Sequence, residues 1–235
     1  MGENTNIAWT ERTWNPWRGC TKIDPGCKGC YMFTAQSRYG LDPSVVVRTK
    51  TWGDPRKWQR NAQAEGRIER VFTCSWSDWF HKDADGWRAE AWQLVKNCPN
   101  LHFQILTKRA DRIAGSLPSD WGGGYPNVWL GVSISEEKGL WRADELRKIP
   151  ARVRFVSYEP ALGPLDALDL TGVHWVIFGG ESGPDFRPMK IEWARAMRDK
   201  CKAAHVPFFY KQSTGRLPET GIELDGQIIR EYPAI

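Results

Sequence analysis

The stretch "HWVIFGGESG", residues 174–183, runs apolar from Trp175 to Phe178 without alternation, then breaks at two glycines and a polar turn. Alternating polarity marks a strand with one wet face, whereas an unbroken apolar run of about five residues marks a strand buried on both faces, the condition of a parallel sheet. The pattern recurs in "RVFTCSWS" (70–77), "LHFQILTKR" (101–109), "NVWLGVSI" (127–134), "VRFVSYEP" (153–160) and "VPFFYKQ" (206–212). The ends of these runs lie roughly 20 to 35 residues apart, the length of a strand plus a crossover helix.

Helical patterns fill two of the intervals. "DGWRAEAWQLVKNC" puts Trp87, Ala91, Trp92 and Val95 on one face, and "IEWARAMRDKCKAAH" puts Trp193, Met197 and Cys201 in step. With a first strand before Cys20, about seven repeats predict an α/β fold, a complete or partial (β/α) TIM-type barrel of six to seven parallel strands. No low-complexity tract or linker divides the 235 residues. The expectation is one domain over 1–235, with an N-terminal strand or arm at 1–19 and a C-terminal tail at 213–235.

Apolar residues make up 41% of the chain and charged residues 26%, which excludes a disordered protein. The start "MGENTNIAWTER" lacks the basic and apolar regions of a signal peptide. Its Met-Gly opening also lacks the Ser or Thr that myristoylation requires at the sixth position, which is Asn6. No segment approaches the ~18 apolar residues of a membrane span. A soluble, cytoplasmic protein with no membrane partner is expected. The net charge of +5 suits an anionic partner such as nucleic acid or a nucleotide. The 14 tryptophans serve either as core filler or as stacking surfaces for bases, notably in "TWNPWRG", "KTWGDPRKWQR" and "SWSDWFHKD".

Chemistry in a barrel of this kind gathers at the C-terminal strand ends. The loop after the expected first strand, "RGCTKIDPGCKGCYM", holds Cys20, Cys27 and Cys30 among glycines that let the backbone fold around one centre. In a reducing compartment such a cluster is a metal site. Zinc needs a fourth ligand, for which Cys74 at a strand end is the nearest candidate. Three thiolates also hold a four-iron cluster with one iron left open.

The segments "WNPWRGCTKIDPGCKGCYM", "SWSDWFH", "FQILTKRADR", "NVWLGVSI", "RFVSYEPALGPL", "GGESGPDFRPM" and "PFFYKQ" together resemble a phage- and prophage-associated family of three-cysteine-motif, radical-SAM-like proteins. A more distant resemblance is to the spore photoproduct lyases, radical SAM enzymes of DNA repair. The resemblance implies a [4Fe-4S] cluster on Cys20, Cys27 and Cys30, S-adenosylmethionine on its open iron, an external electron donor, and a nucleic acid or nucleotide as substrate. It assigns Ser75, Ser77 and Asp78 to the methionine amino group and Lys108 or Arg109 to its carboxylate. Ser133 falls to the ribose, Glu159 to ribose hydroxyls or a substrate donor, Glu181 to a cofactor contact, and Arg187, Lys211 and Gln212 to an anionic substrate. It assigns no catalytic residue. The first cysteine gap here is six residues, where the radical SAM pattern has three, and the Gly-Gly-Glu run follows a late strand. The rival expectation is a non-catalytic nucleic-acid-binding protein stabilised by zinc or an inert cluster.

Overall fold

The computed structural model describes residues 5–234; the opening Met-Gly and the outermost parts of the expected arm and tail lie outside the described residues. In chain order the elements are β1 (Arg12–Trp14), β2 (Trp17–Arg18), α1 (Tyr31–Arg38), β3 (Val47–Arg48), α2 (Asp54–Ala64), β4 (Glu69–Thr73), α3 (Asp85–Lys96), β5 (Leu101–Thr107), β6 (Val128–Ser133), α4 (Trp141–Arg147), β7 (Val153–Tyr158), β8 (Trp175–Gly179), α5 (Ile191–Ala203) and β9 (Phe208–Gln212). Seven strands form one sheet in the order β1-β4-β5-β6-β7-β8-β9. Every pairing in it is parallel. The sheet curls into a half-barrel, the partial form of the expected architecture.

Each apolar run of the sequence became a strand. The burial is near-continuous, with all of β6 and β8 buried, as strands covered on both faces require. The helices α3 and α5 lie where their periodicity put them, with Ala91, Trp92 and Val95 buried on one and Met197 and Cys201 on the other. Two crossovers lack an α-helix. Between β5 and β6 the chain makes only short 3-10 turns before "LPSDWGGGYP", and between β7 and β8 it passes through Pro160, Gly163 and Pro164. Proline removes an amide donor and glycine adds chain entropy, so neither stretch sustains a helix. The sequence pattern also missed a small antiparallel pair, β2 with β3.

The inner face of the half-barrel changes character along the strands. Toward the strand starts it is aromatic: Phe72, Trp129, Phe155, Trp175, Ile177 and Phe209 pack together, with Trp9 of the N-terminal arm seated 4.5 Å from Phe72. Two residues further along, the same face turns small or polar, from Phe155 to Ser157 to Glu159 and from Phe209 to Lys211. Gly131 lies opposite Phe155 in register, and a Cβ there would stand 2.3 Å from the ring. The missing side chain makes room for Phe155, and the aromatic layer becomes the floor of a cleft at the C-terminal ends.

The tail returns to the sheet. Tyr210 N donates to Ile229 O at 2.8 Å, and the Trp175 indole donates to Glu231 O at 2.9 Å. Among the described residues no helix is long and apolar enough to cross a membrane.

Candidate functional site

The loop carrying the three cysteines leaves the sheet after β1. Gly19 makes the departure possible: its φ is +97°, and a Cβ would lie 2.2 Å from Val45 O, so only glycine fits. The chain then forms a 3-10 turn at Pro25–Cys27, and Cys30 begins α1. Two more glycines seat this loop against the strand ends. A Cβ on Gly26 would stand 2.3 Å from Ser135 Oγ, and one on Gly29 would stand 2.5 Å from Glu181 Oε1.

Three arginines, two from strand exits and one from helix α4, grip the loop. Arg109, after β5, donates to Thr21 O at 2.9 Å and to Cys20 Sγ at 3.6 Å, and pairs with Asp78 at 3.0 Å. Arg142, on α4, pairs with Asp24 at 2.6 Å and donates to Ser133 O at 3.0 Å. Arg187, after β8, donates to Pro25 O at 2.9 Å and from Nε to Glu181 Oε2 at 2.8 Å. Charged pairs of this kind are the stronger hydrogen bonds, and each ties the loop to a rigid strand end.

These contacts place several of the sequence-selected residues. Asp78 is buried and accepts from the Thr107 hydroxyl at 2.7 Å, from the amides of Phe80 and Lys108 at 2.9 and 3.2 Å, and from Arg109. Its carboxylate is therefore occupied by the chain itself. Burial pushes the Glu181 carboxyl up, but the hydrogen bonds and charge of Arg187 outweigh it and hold the group below its ordinary range. Ser77 donates to Gly19 O at 2.6 Å, and Ser75 accepts from Asn15 Nδ2 at 3.0 Å. Gln212 is buried; its Nε2 donates to Gly180 O at 2.9 Å and its Oε1 accepts from Glu219 N at 2.7 Å. Neither Gln212 nor Arg187 lines the cleft.

The cleft itself, about 780 Å³, is lined by all three loop cysteines and by the ends of the central strands. Lys108 Nζ meets Ser133 Oγ, which donates in turn to Glu159 O at 2.9 Å. Lys211 Nζ donates to Glu159 Oε1 at 2.6 Å. Cys74, buried and in a left-handed conformation at φ 65°, lines the same cleft. A larger, open depression of about 1040 Å³ lies at the opposite ends of β7 to β9, near Arg152 and Pro207, and contains no cysteine. The convergence of thiols and charged groups, rather than volume, makes this cleft the candidate functional site.

All six cysteines are free. Burial, and next Asp78, push the Cys20 thiol up to about 11 against the opposing charge of Arg109, and burial raises Cys30 as well. Such thiols stay protonated until a cation takes their place, which is how metal ligation and proton release are coupled. Among the described residues no three His, Cys, Asp or Glu side chains converge as closely as the ligands of a single ion. Thiolates on a four-iron cube stand at separate corners and need no such convergence. An all-sulfur donor set, a glycine cradle and a common cleft fit that larger group.

Five of the six tryptophans in the tryptophan-rich segments, Trp14, Trp17, Trp52, Trp58 and Trp79, are buried in the core rather than presented for stacking. Trp76 alone of "SWSDWFH" is a half-buried tryptophan on the cleft wall. Sequence reasoning missed the Asp24–Arg142 pair, Asn15 and Glu219, whose positions depend on contacts distant in the chain.

The chain belongs to the family described as protein of unknown function DUF5131, whose model matches residues 4–233. No curated protein matches it significantly. Among solved structures it is similar to a double mutant of spore photoproduct lyase with bound AdoMet and dinucleoside spore photoproduct, with a TM-score of 0.52 and 13% identity. The match covers 81% of this chain and 61% of that one, so the chain spans about three-fifths of its neighbour. At that identity the likeness is one of fold.

Proposed function

We propose that the chain is a radical-SAM-type iron–sulfur enzyme that modifies or repairs a nucleic acid or nucleotide. The observation that carries the proposal is the placement of Cys20, Cys27 and Cys30 on one cleft at the C-terminal mouth of a parallel half-barrel. Cys20, Cys27 and Cys30 would hold a [4Fe-4S] cluster, which, reduced by an external electron donor, would supply one-electron cleavage of bound S-adenosylmethionine to methionine and a 5′-deoxyadenosyl radical.

The chain's own residues then divide the remaining work. Arg109 sets a positive charge beside the Cys20 sulfur and favours its thiolate. Arg142 and Arg187 fix the loop backbone, so that the sulfurs are positioned before any ligand arrives. Lys108, Ser133, Glu159 and Lys211 present donors and acceptors to the cleft and would orient the polar parts of cofactor and substrate. The aromatic floor, including Trp9 and Phe72, excludes water from below. The nucleic-acid part of the reading is supported by the net charge of +5 and by the similarity of fold to a protein solved with a dinucleoside lesion.

Anaerobic purification and reconstitution test the reading. A brown protein with iron and sulfide in cluster stoichiometry, forming 5′-deoxyadenosine from S-adenosylmethionine and dithionite, is the expected result. A fully loaded protein that forms none refutes the enzyme, and a colourless protein with one zinc per chain refutes the cluster.

A further inference from the structure

Residues 213–221 leave β9 and double back beside the cleft. Ser213 N donates to Gly221 O at 2.9 Å, Gly215 N to Glu181 O at 3.2 Å, and Gly183 N to Gly215 O at 3.0 Å. The segment is thus knitted to the "GGESG" turn rather than trailing from the barrel.

Within it Glu219 has φ +58°, in the left-handed region, where a non-glycine residue is strained by about 1–2 kcal/mol. A buried clamp enforces the strain. Glu219 N donates to Gln212 Oε1 at 2.7 Å, and Gln212, 1% exposed, is itself anchored on Gly180 O at 2.9 Å. The result is a carboxyl group on the cleft wall, with the Ala8 amide against it. Its Oε2 is buried without a hydrogen-bond partner. An idle buried oxygen costs about 1–3 kcal/mol. A strained turn that places one in a cleft suits a partner supplied from outside.

The charged groups facing this carboxyl are Lys211, Glu159 and Arg230. Burial raises Glu219 above its ordinary range; Glu159 adds to the shift, and Lys211 and Arg230 oppose it. The unpartnered Oε2 accepts, Lys211 donates, and Glu159 accepts.

We propose that residues 213–221 are the substrate-reading element of the cleft, in which Glu219 Oε2 accepts from the N–H of an uncharged lactam or imide edge of a nucleobase and Lys211 donates to a carbonyl beside it. The proposal rests on the nucleic-acid reading above. Thymine and uracil carry such an edge, with two carbonyls flanking an N–H, and adenine carries none. Apolar cleft residues, including Ile7, Trp9 and Pro218, suit the faces of a flat ring.

The test is fluorescence anisotropy of the full chain with labelled single-stranded oligo(dT), oligo(dU) and oligo(dA) at fixed salt. Wild type is expected to favour dT and dU over dA by about 3- to 10-fold, the worth of one hydrogen bond. Glu219→Gln, whose amide oxygen still accepts, keeps the preference; Glu219→Ala loses it with near-ultraviolet circular dichroism unchanged. An unchanged preference in Glu219→Ala overturns the assignment of Glu219 alone. Failure of all three strands to bind overturns the nucleic-acid reading together with this proposal. The cluster is judged separately, by iron content and 5′-deoxyadenosine.

Discussion

Gly26→Ala tests whether the seating of the cysteine loop determines its function. The added methyl would stand 2.3 Å from Ser135 Oγ and 3.2 Å from Ser135 Cβ. Non-bonded heavy atoms approach comfortably to about 3.5 Å, so the loop must back away by about 1 Å or Ser135 must move. Ser135 is 2% exposed and short, with nowhere to swing, so the loop is the part that yields. Overpacking of this size costs about 1–3 kcal/mol. Because Cys27 is the next residue, the same displacement moves a sulfur. Expected results are a lower urea midpoint with unchanged slope and a reduced iron-to-protein ratio after reconstitution. The partner variant sharpens the test. Ser135 Oγ is buried without a hydrogen-bond partner, so Ser135→Ala alone is expected to be neutral or stabilising by up to about 1 kcal/mol. In the double variant the 2.3 Å clash is gone and only the milder approaches to Asp24 Oδ1 at 3.1 Å and Ser135 Cβ at 3.2 Å remain, so most of the lost stability and iron returns. Normal iron loading in Gly26→Ala, or no rescue by Ser135→Ala, refutes the reasoning.

Three further outcomes follow from named contacts. Cys27→Ala is expected to lose iron rather than activity alone, because a thiolate ligand has no substitute; iron content equal to wild type rejects the ligand. Arg142→Ala strands the Asp24 carboxylate, whose partner sits 6% exposed at 2.6 Å, and is expected to cost about 3–5 kcal/mol in urea denaturation, with Arg142→Lys recovering part. Glu219 is raised in the folded state, so its contribution is complete below its unfolded value near 4.5 and is lost as pH rises through the folded value. Wild type is therefore expected to fall in stability relative to Glu219→Gln over that window, and parallel stability–pH curves contradict the shift.

The strands were legible because a parallel sheet buried on both faces leaves an unbroken apolar run, as Trp175 to Phe178 does. The helices α3 and α5 were legible from period alone. The tryptophans were not, since indole packs in a core or stacks on a ligand with equal chemistry. Burial, not composition, assigned Trp14, Trp17, Trp52, Trp58 and Trp79 to the core. The strand-exit polar residues were legible as a set but not in their partners. Arg187 reaches Pro25 O across 162 positions of sequence, and Glu219 depends on Gln212 holding its backbone. No local pattern encodes either contact.

The polar strand exits separate into two groups by what they touch. Asp78, Ser77, Arg109, Glu181 and Arg187 spend their hydrogen bonds on the cysteine loop or on each other. Lys108, Ser133, Glu159, Lys211 and Glu219 line the cleft without holding that loop, beside Ser77, Asp78, Arg109 and Glu181, which do both. This division accounts for the six-residue first gap of the cysteine motif. The residues between Cys20 and Cys27 include Thr21, held by Arg109; Asp24, held by Arg142; Pro25, held by Arg187; and Gly26, seated on Ser135. A three-residue gap has no length of backbone for three separate anchors. The longer gap is the handle by which two strand exits and helix α4 fix the loop, and it leaves the three thiols on the cleft.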